Sequence, residues 1–130
     1  GVRLDRDTRT ENGELVLGRL ATFIRDHQIH LEMAPTCNTQ IGAVASVRDH
    51  PVIPFMRAGF NVGVNTDNRL MSNVSPSSEL IALNEAHGLS WEDIECLVTN
   101  AIWSGFAPLP ERQRIIAEVV APAYAALKSG

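Results

Sequence analysis

Phe60-Asn61-Val62-Gly63-Val64-Asn65, running on into Thr66-Asp67-Asn68, is the stretch from which the fold is read. Phe60, Val62 and Val64 fall on one face of an extended chain, while Asn61, Gly63, Asn65 and then Asp67 fall on the other. Side chains alternate with a period of two along a strand, so the pattern predicts a β-strand over 60–65 with one apolar and one polar face. A polar row costs free energy against a purely apolar core. That face is therefore expected to line a polar interior or a site.

Toward the N-terminus, Ile29 to Ala34 predicts a second strand, stopped by Pro35. The Thr/Asn/Gly-rich run from Pro35 to Ser46 is expected to be a loop. A short helix is expected over 49–58, with Asp49 as its cap, Pro51 in its first turn and Gly59 ending it. Thirty-one positions separate Ala34 from Asn65, which leaves room for one helix. The two strands should then be parallel neighbours in a right-handed β/α unit. Val16, Leu17, Leu20, Phe23 and Ile24 have helical spacing and predict one helix from Glu14 to His27. The stretch before it is too short for a strand, except for the end of one at Gly1 to Leu4.

Toward the C-terminus three helices are expected. The first runs from Ser77 to His87 and stops at Gly88. The second, Ser90 to Phe106, opens on Ser90-Trp91-Glu92-Asp93, a capping-box pattern. The third, Pro110 to Lys128, should bend at Pro122. Two parallel strands expose an edge on each side and normally need cover on both faces. The 130 residues are thus expected to be one domain's worth of chain or less, a portion of a larger α/β barrel.

Composition narrows the function. A formal net charge of −4 and dispersed basic residues exclude an electrostatic nucleic-acid footprint. No apolar run nears the ~20 residues that span a bilayer, and no signal peptide is visible, so no membrane partner is expected. Cys37 and Cys96 stand in no Cys-x-x-Cys spacing, which predicts free thiols in a reducing, cytoplasmic setting.

Asp67 stands where a strand meets its next loop, the active-site end of a (β/α) barrel strand, and there it could ligate a metal or act as a base. An Asp-Asn pair in that place is more often only a turn, because both residues bond their own backbone. Three stretches bear on the choice. They are Leu31 to Val44 (Leu-Glu-Met-Ala-Pro-Thr-Cys-Asn-Thr-Gln-Ile-Gly-Ala-Val), Val64 to Arg69 (Val-Asn-Thr-Asp-Asn-Arg), and Asn100 to Phe106 (Asn-Ala-Ile-Trp-Ser-Gly-Phe). In order and spacing they resemble the adenosine deaminase family, and the Asn65 to Ser72 wording resembles its actinobacterial branch. Gly1 to Leu4 resembles the residues just after the family's sixth-strand histidine.

The resemblance implies the C-terminal portion of a (β/α)8 TIM-type barrel with extra C-terminal helices, incomplete as a barrel on its own. Residues 1–130 would be the C-terminal part of a single barrel domain, whose missing N-terminal part is an expected partner. It implies Zn2+ as cofactor, held by Asp67 together with a His-x-His and a further His that this chain lacks. Zinc lowers the pKa of its bound water and gives hydroxide to attack purine C6, turning adenosine and water into inosine and ammonia. Asn68 stands where the family has a second aspartate that donates to purine N7; an amide donates without needing to be protonated. Substrate binding is therefore assigned to Asn68, with a purine nucleoside as the small-molecule partner. The chain by itself is expected to be inactive. The alternatives are a sister deaminase acting on adenine or an N6-substituted adenine nucleotide, and a non-catalytic remnant or assembly piece.

The other candidates are given structural roles. His27 ends a helix, His30 opens a strand at its N-terminal side, and His50 and His87 flank helix boundaries. Cys37 is expected to be a packed thiol, Trp91 and Trp103 to pack on helical faces, and Glu32 to be a buried, salt-bridged residue of the barrel interior.

Overall fold

A computed structural model describes residues 1–129. The expected β/α unit is present. Strand β3 (Leu31–Met33) pairs in parallel with β4 (Val62–Val64), in the register Leu31↔Val62, Glu32↔Gly63 and Met33↔Val64. Both strands are shorter than the alternation suggested, but hydrogen bonds from Leu31 N–H to Asn61 and from Asn65 N–H to Met33 extend the ladder at each end. Helix α3 (Val52–Arg57), the last element of the connection between them, buries Val52, Ile53, Phe55 and Met56 against Leu31, Met33 and Val62. The other sheet face carries Glu32, Gly63 and Asn65, in keeping with the polar row read from the alternation.

Gly63 is required by close approach. A Cβ there would lie 2.7 Å from His30 Cε1 and 3.0 Å from Ala101 Cβ, below any ordinary contact. The gap lets α6 (Trp91–Ser104) lie against β4, where Asn100 Nδ2 donates to the Val62 carbonyl at 3.1 Å.

Several expectations are corrected. The run Glu14 to His27 is not one helix. Strands β1 (Thr8–Glu11) and β2 (Glu14–Leu17) form an antiparallel hairpin, and α1 (Arg19–Asp26) comes after it. The cause lies in Asn12-Gly13, whose φ values of 52° and 85° make the two-residue turn that matches strand twist. Gly1 to Leu4 is not a strand end, since Val2–Asp7 forms a 3-10 helix. The predicted loop from Pro35 begins as a helix, α2 (Pro35–Gln40), because proline's fixed φ suits a first helical position. Asp49 does not cap α3; it sits in a 3-10 turn, Val47–Asp49, and accepts from Ser46 Oγ at 2.6 Å.

Short helix α4 (Arg69–Ser72) leads to α5 (Pro76–His87) and α6, whose capping boxes at Ser75/Ser78 and Ser90/Asp93 accept from two N–H groups at each helix start. The last helix is three pieces: α7 (Leu109–Ile115), a widened π turn (Ile116–Val120) and α8 (Ala121–Ser129). Pro122 cannot donate to the carbonyl four residues back, and the widening falls just before it. The described residues hold two two-stranded sheets and no closed barrel. No described helix is long and apolar enough to cross a membrane.

Candidate functional site

Beyond β4 the chain turns sharply. Asp67 N–H donates to Asn65 Oδ1 at 2.7 Å, and Asp67 adopts a left-handed φ of 52°. Asp and Asn are the non-glycine residues that tolerate this region best, yet it still costs free energy. The turn is real, and it carries the Asp67 carboxylate to the C-terminal edge of the sheet. There a hollow of about 470 Å³ is lined by Glu32, Ala34, Asn38, Asn65, Thr66 and Asp67, with Gly1 and Val2 at its side. That size suits a small-molecule site. A second hollow of about 310 Å³, with His30, Gly63, Ala101 and Ser104 in its wall, shares Glu32 and Asn65 with the first.

The two oxygens of Asp67 differ. Oδ2 accepts a hydrogen bond from Cys37 Sγ at 3.1 Å, whereas Oδ1 has no hydrogen-bond partner among the described residues. This bond, followed by burial, raises the Cys37 pKa above its ordinary value and keeps the thiol a donor. Cys37 belongs to the first turn of α2. In the same turn, Thr36 N–H donates to Glu79 Oε2 at 3.1 Å. Glu79 is fully buried on α5, and its Oε1 has no partner among the described residues. Ser72 Oγ donates to Gln40 Oε1 at 2.8 Å and ties α4 to the far end of α2.

Asn68 is the N-cap of α4. Its Oδ1 accepts from Met71 N–H at 3.1 Å. Only the oxygen can accept there, so the amide nitrogen is left free to donate. Asn68 is exposed and comes directly after Asp67 at the mouth of the hollow without lining it.

Asn38 was missed by sequence reasoning. It lines the hollow and is pinned from behind by His50, whose Nε2 lies 2.9 Å from Asn38 Oδ1. His50 Nδ1 accepts from Val52 N–H at 3.2 Å, so the ring is neutral with its proton on Nε2. Burial, then the neighbouring His87, lowers its pKa to about 4. The Pro35-Thr36 signal for a helix start was the clue that would have brought Cys37 and Asn38 to this face.

The remaining candidates are spread over the molecule. His27 Nδ1 lies 2.9 Å from the Phe23 carbonyl, with the two rings stacked at 4.0 Å. His30 Nδ1 meets Asn61 Oδ1 at 3.0 Å, and His87 closes α5. Trp91 faces Tyr124 edge-on at 6.3 Å, and Arg112 lies 5.9 Å from the Trp103 ring. Glu32 corrects its expectation: it is exposed, and among the described residues it has no ion pair. The described sheet that carries it has only two strands, β3 and β4.

A fit test for a metal rests on these donors. No group of three or more His, Cys, Asp or Glu side chains among the described residues could hold one. Asp67 fits the part of a single ligand, with one oxygen held and the other bare.

Comparison with known proteins gives a consistent picture. The family described as "Adenosine deaminase" matches residues 1–122. Proteins named adenosine deaminase are 47% identical over 128 residues in Mycobacterium sp. (strain KMS), 49% over 129 in Mycolicibacterium gilvum and 48% over 128 in Mycobacterium tuberculosis (strain ATCC 25618 / H37Rv). Each match covers 98% of this chain, which spans 35% of the relative's length. The fold is similar to the crystal structure of adenine deaminase from Arthrobacter aurescens. There the TM-score is 0.74 at 22% identity, covering 85% of this chain and 32% of the other.

Proposed function

The chain belongs to the adenosine deaminase family, and we propose that it supplies the metal ligand Asp67 and the purine-facing donor Asn68 to an aminohydrolase that turns adenosine and water into inosine and ammonia. One observation carries the reading: a carboxylate held in a left-handed turn at the C-terminal end of a parallel strand, with one oxygen bonded and the other bare above a hollow. Strain of that kind persists where the surroundings over-determine it, and it clusters at functional sites.

Zinc, when bound, supplies the Lewis acidity that brings water within reach of deprotonation near neutral pH. Asp67 Oδ1 would be one of its ligands, and the others would come from outside these 130 residues. Asp67 Oδ2 accepts from Cys37 Sγ at 3.1 Å. Asn68, its oxygen committed to Met71 N–H, presents its amide nitrogen to purine N7, an acceptor. With a single carboxylate for zinc, these residues by themselves are inactive, and the partner they require is the remainder of the barrel. The setting we propose is cytoplasmic. The nucleoside is favoured over adenine because the relatives, 48% identical in M. tuberculosis, are named for adenosine, whereas the adenine deaminase likeness concerns fold.

Asp67→Asn is the test, because asparagine also accepts a left-handed φ and leaves the turn intact. Measured on the natural polypeptide that carries these residues, zinc content and adenosine turnover should fall together. Full zinc and normal turnover in Asp67→Asn would remove the ligand assignment and leave the turn alone.

A further inference from the structure

Asp67 is held from one side, and the group that holds it is a thiol. We infer that Cys37 is a positioning residue for Asp67: its S–H engages Oδ2 and leaves Oδ1 as the one oxygen presented to the metal. The inference rests on reading Asp67 as a zinc ligand.

Three observations carry it. The contact is close for a sulfur donor, 3.1 Å from Sγ to Oδ2, and joins residues 30 positions apart in the chain. The element bearing the thiol is clamped at both ends. Thr36 N–H is bonded to the buried Glu79, and Gln40 Oε1 accepts from Ser72 Oγ on α4. Finally, Asp67 has little other restraint. Its residue is exposed, and apart from this bond its carboxylate has no hydrogen bond among the described residues. A carboxylate free to rotate must be ordered when a metal binds, which costs side-chain entropy. A neighbour that orders it beforehand strengthens the site, as outer partners of metal ligands do. Cys37 is not offered as a ligand itself, since its S–H is given to Asp67 Oδ2, whereas a ligating sulfur must be deprotonated.

The test uses the natural polypeptide that carries this chain, with zinc alone as probe. Zinc affinity is read by competition with a chromogenic chelator, zinc release is timed after dilution into chelator, and thermal unfolding is monitored on the metal-free protein. Cys37→Ala removes the donor, and Cys37→Val removes it while filling the space. Both should bind zinc about tenfold more weakly and release it faster, at the low end of effects for such partners because a thiol is a weak donor. Cys37→Ser restores an O–H donor and should return affinity to within about threefold of the original. Metal-free melting temperatures should not follow this order; zinc affinities that simply fall with melting temperature across the three variants would reduce the effect to packing and overturn the inference. Zinc affinity within about twofold of the original in both Cys37→Ala and Cys37→Val would overturn the inference, as would equal weakening in Ala, Val and Ser. A polypeptide that binds no zinc, or that keeps it in Asp67→Asn, overturns instead the ligand reading beneath.

Discussion

Acid should loosen this chain through one histidine. His50 is fully buried, its Nε2–H given to Asn38 Oδ1 at 2.9 Å and its Nδ1 accepting from Val52 N–H at 3.2 Å. Protonation puts a second hydrogen on Nδ1, facing the Val52 N–H, and places a charge where no water reaches. The folded pKa is accordingly lowered from 6.5 to about 4. A lowered histidine pKa means that the unfolded chain binds the proton first. The stabilisation is therefore fully present above pH 6.5 and lost as the pH falls toward 4. One pH unit is worth about 1.4 kcal/mol per proton, so the window amounts to about 3 kcal/mol. That is a large fraction of the roughly 5–15 kcal/mol typical of a domain. Urea unfolding midpoints at several pH values from neutral down to about 4 measure it. His50→Gln, which can still accept and donate but cannot take a proton, should be less stable at neutral pH by about 1–2 kcal/mol. Its midpoint should then fall less steeply between pH 6.5 and about 4 than that of the parent. The difference between the two slopes reads the proton that His50 takes up on unfolding. Parallel loss in the two proteins would refute the reasoning.

Further expectations concern the site and the sheet beneath it. At Asp67, with φ of 52°, Asp67→Ala should lose about 1 kcal/mol relative to Asp67→Gly in denaturant unfolding, since glycine alone meets no Cβ penalty there. Asn68→Ala should lose about 1 kcal/mol of local stability with the cap, seen in unfolding, and, with the proposed N7 donor gone, should lower adenosine kcat/KM of the natural polypeptide. Asn68→Asp should keep the cap, and its activity should fall as pH rises, because only the protonated acid donates; a flat pH profile would remove the N7 role. Gly63→Ala should destabilise by about 1–3 kcal/mol, measured by urea unfolding, because its methyl meets His30 and Ala101.

Much of the frame was legible in the chain itself. Alternation at Phe60, Val62 and Val64 marked the strand and its polar face, because a pleated chain turns successive side chains to opposite sides. Ser90 to Asp93 marked a helix start through local hydrogen bonding, which needs no partner distant in sequence. The same local chemistry was present in Asn12-Gly13 and in Pro35. There helical spacing after Glu14 and the polar composition after Pro35 hid it, so a hairpin read as helix and a helix read as loop. Asp67 stood out because of where it falls after the strand. The choice between turn and ligand could not be made there, since both use the same residue. The tertiary structure decided what surrounds it. Cys37 reaches Asp67 across 30 positions, Glu79 reaches Thr36 across 43, and His50 reaches Asn38 from behind a wall of the hollow. Contacts of that span arise from how α2, α4 and α5 pack around the strand ends, and no local period in the chain records them.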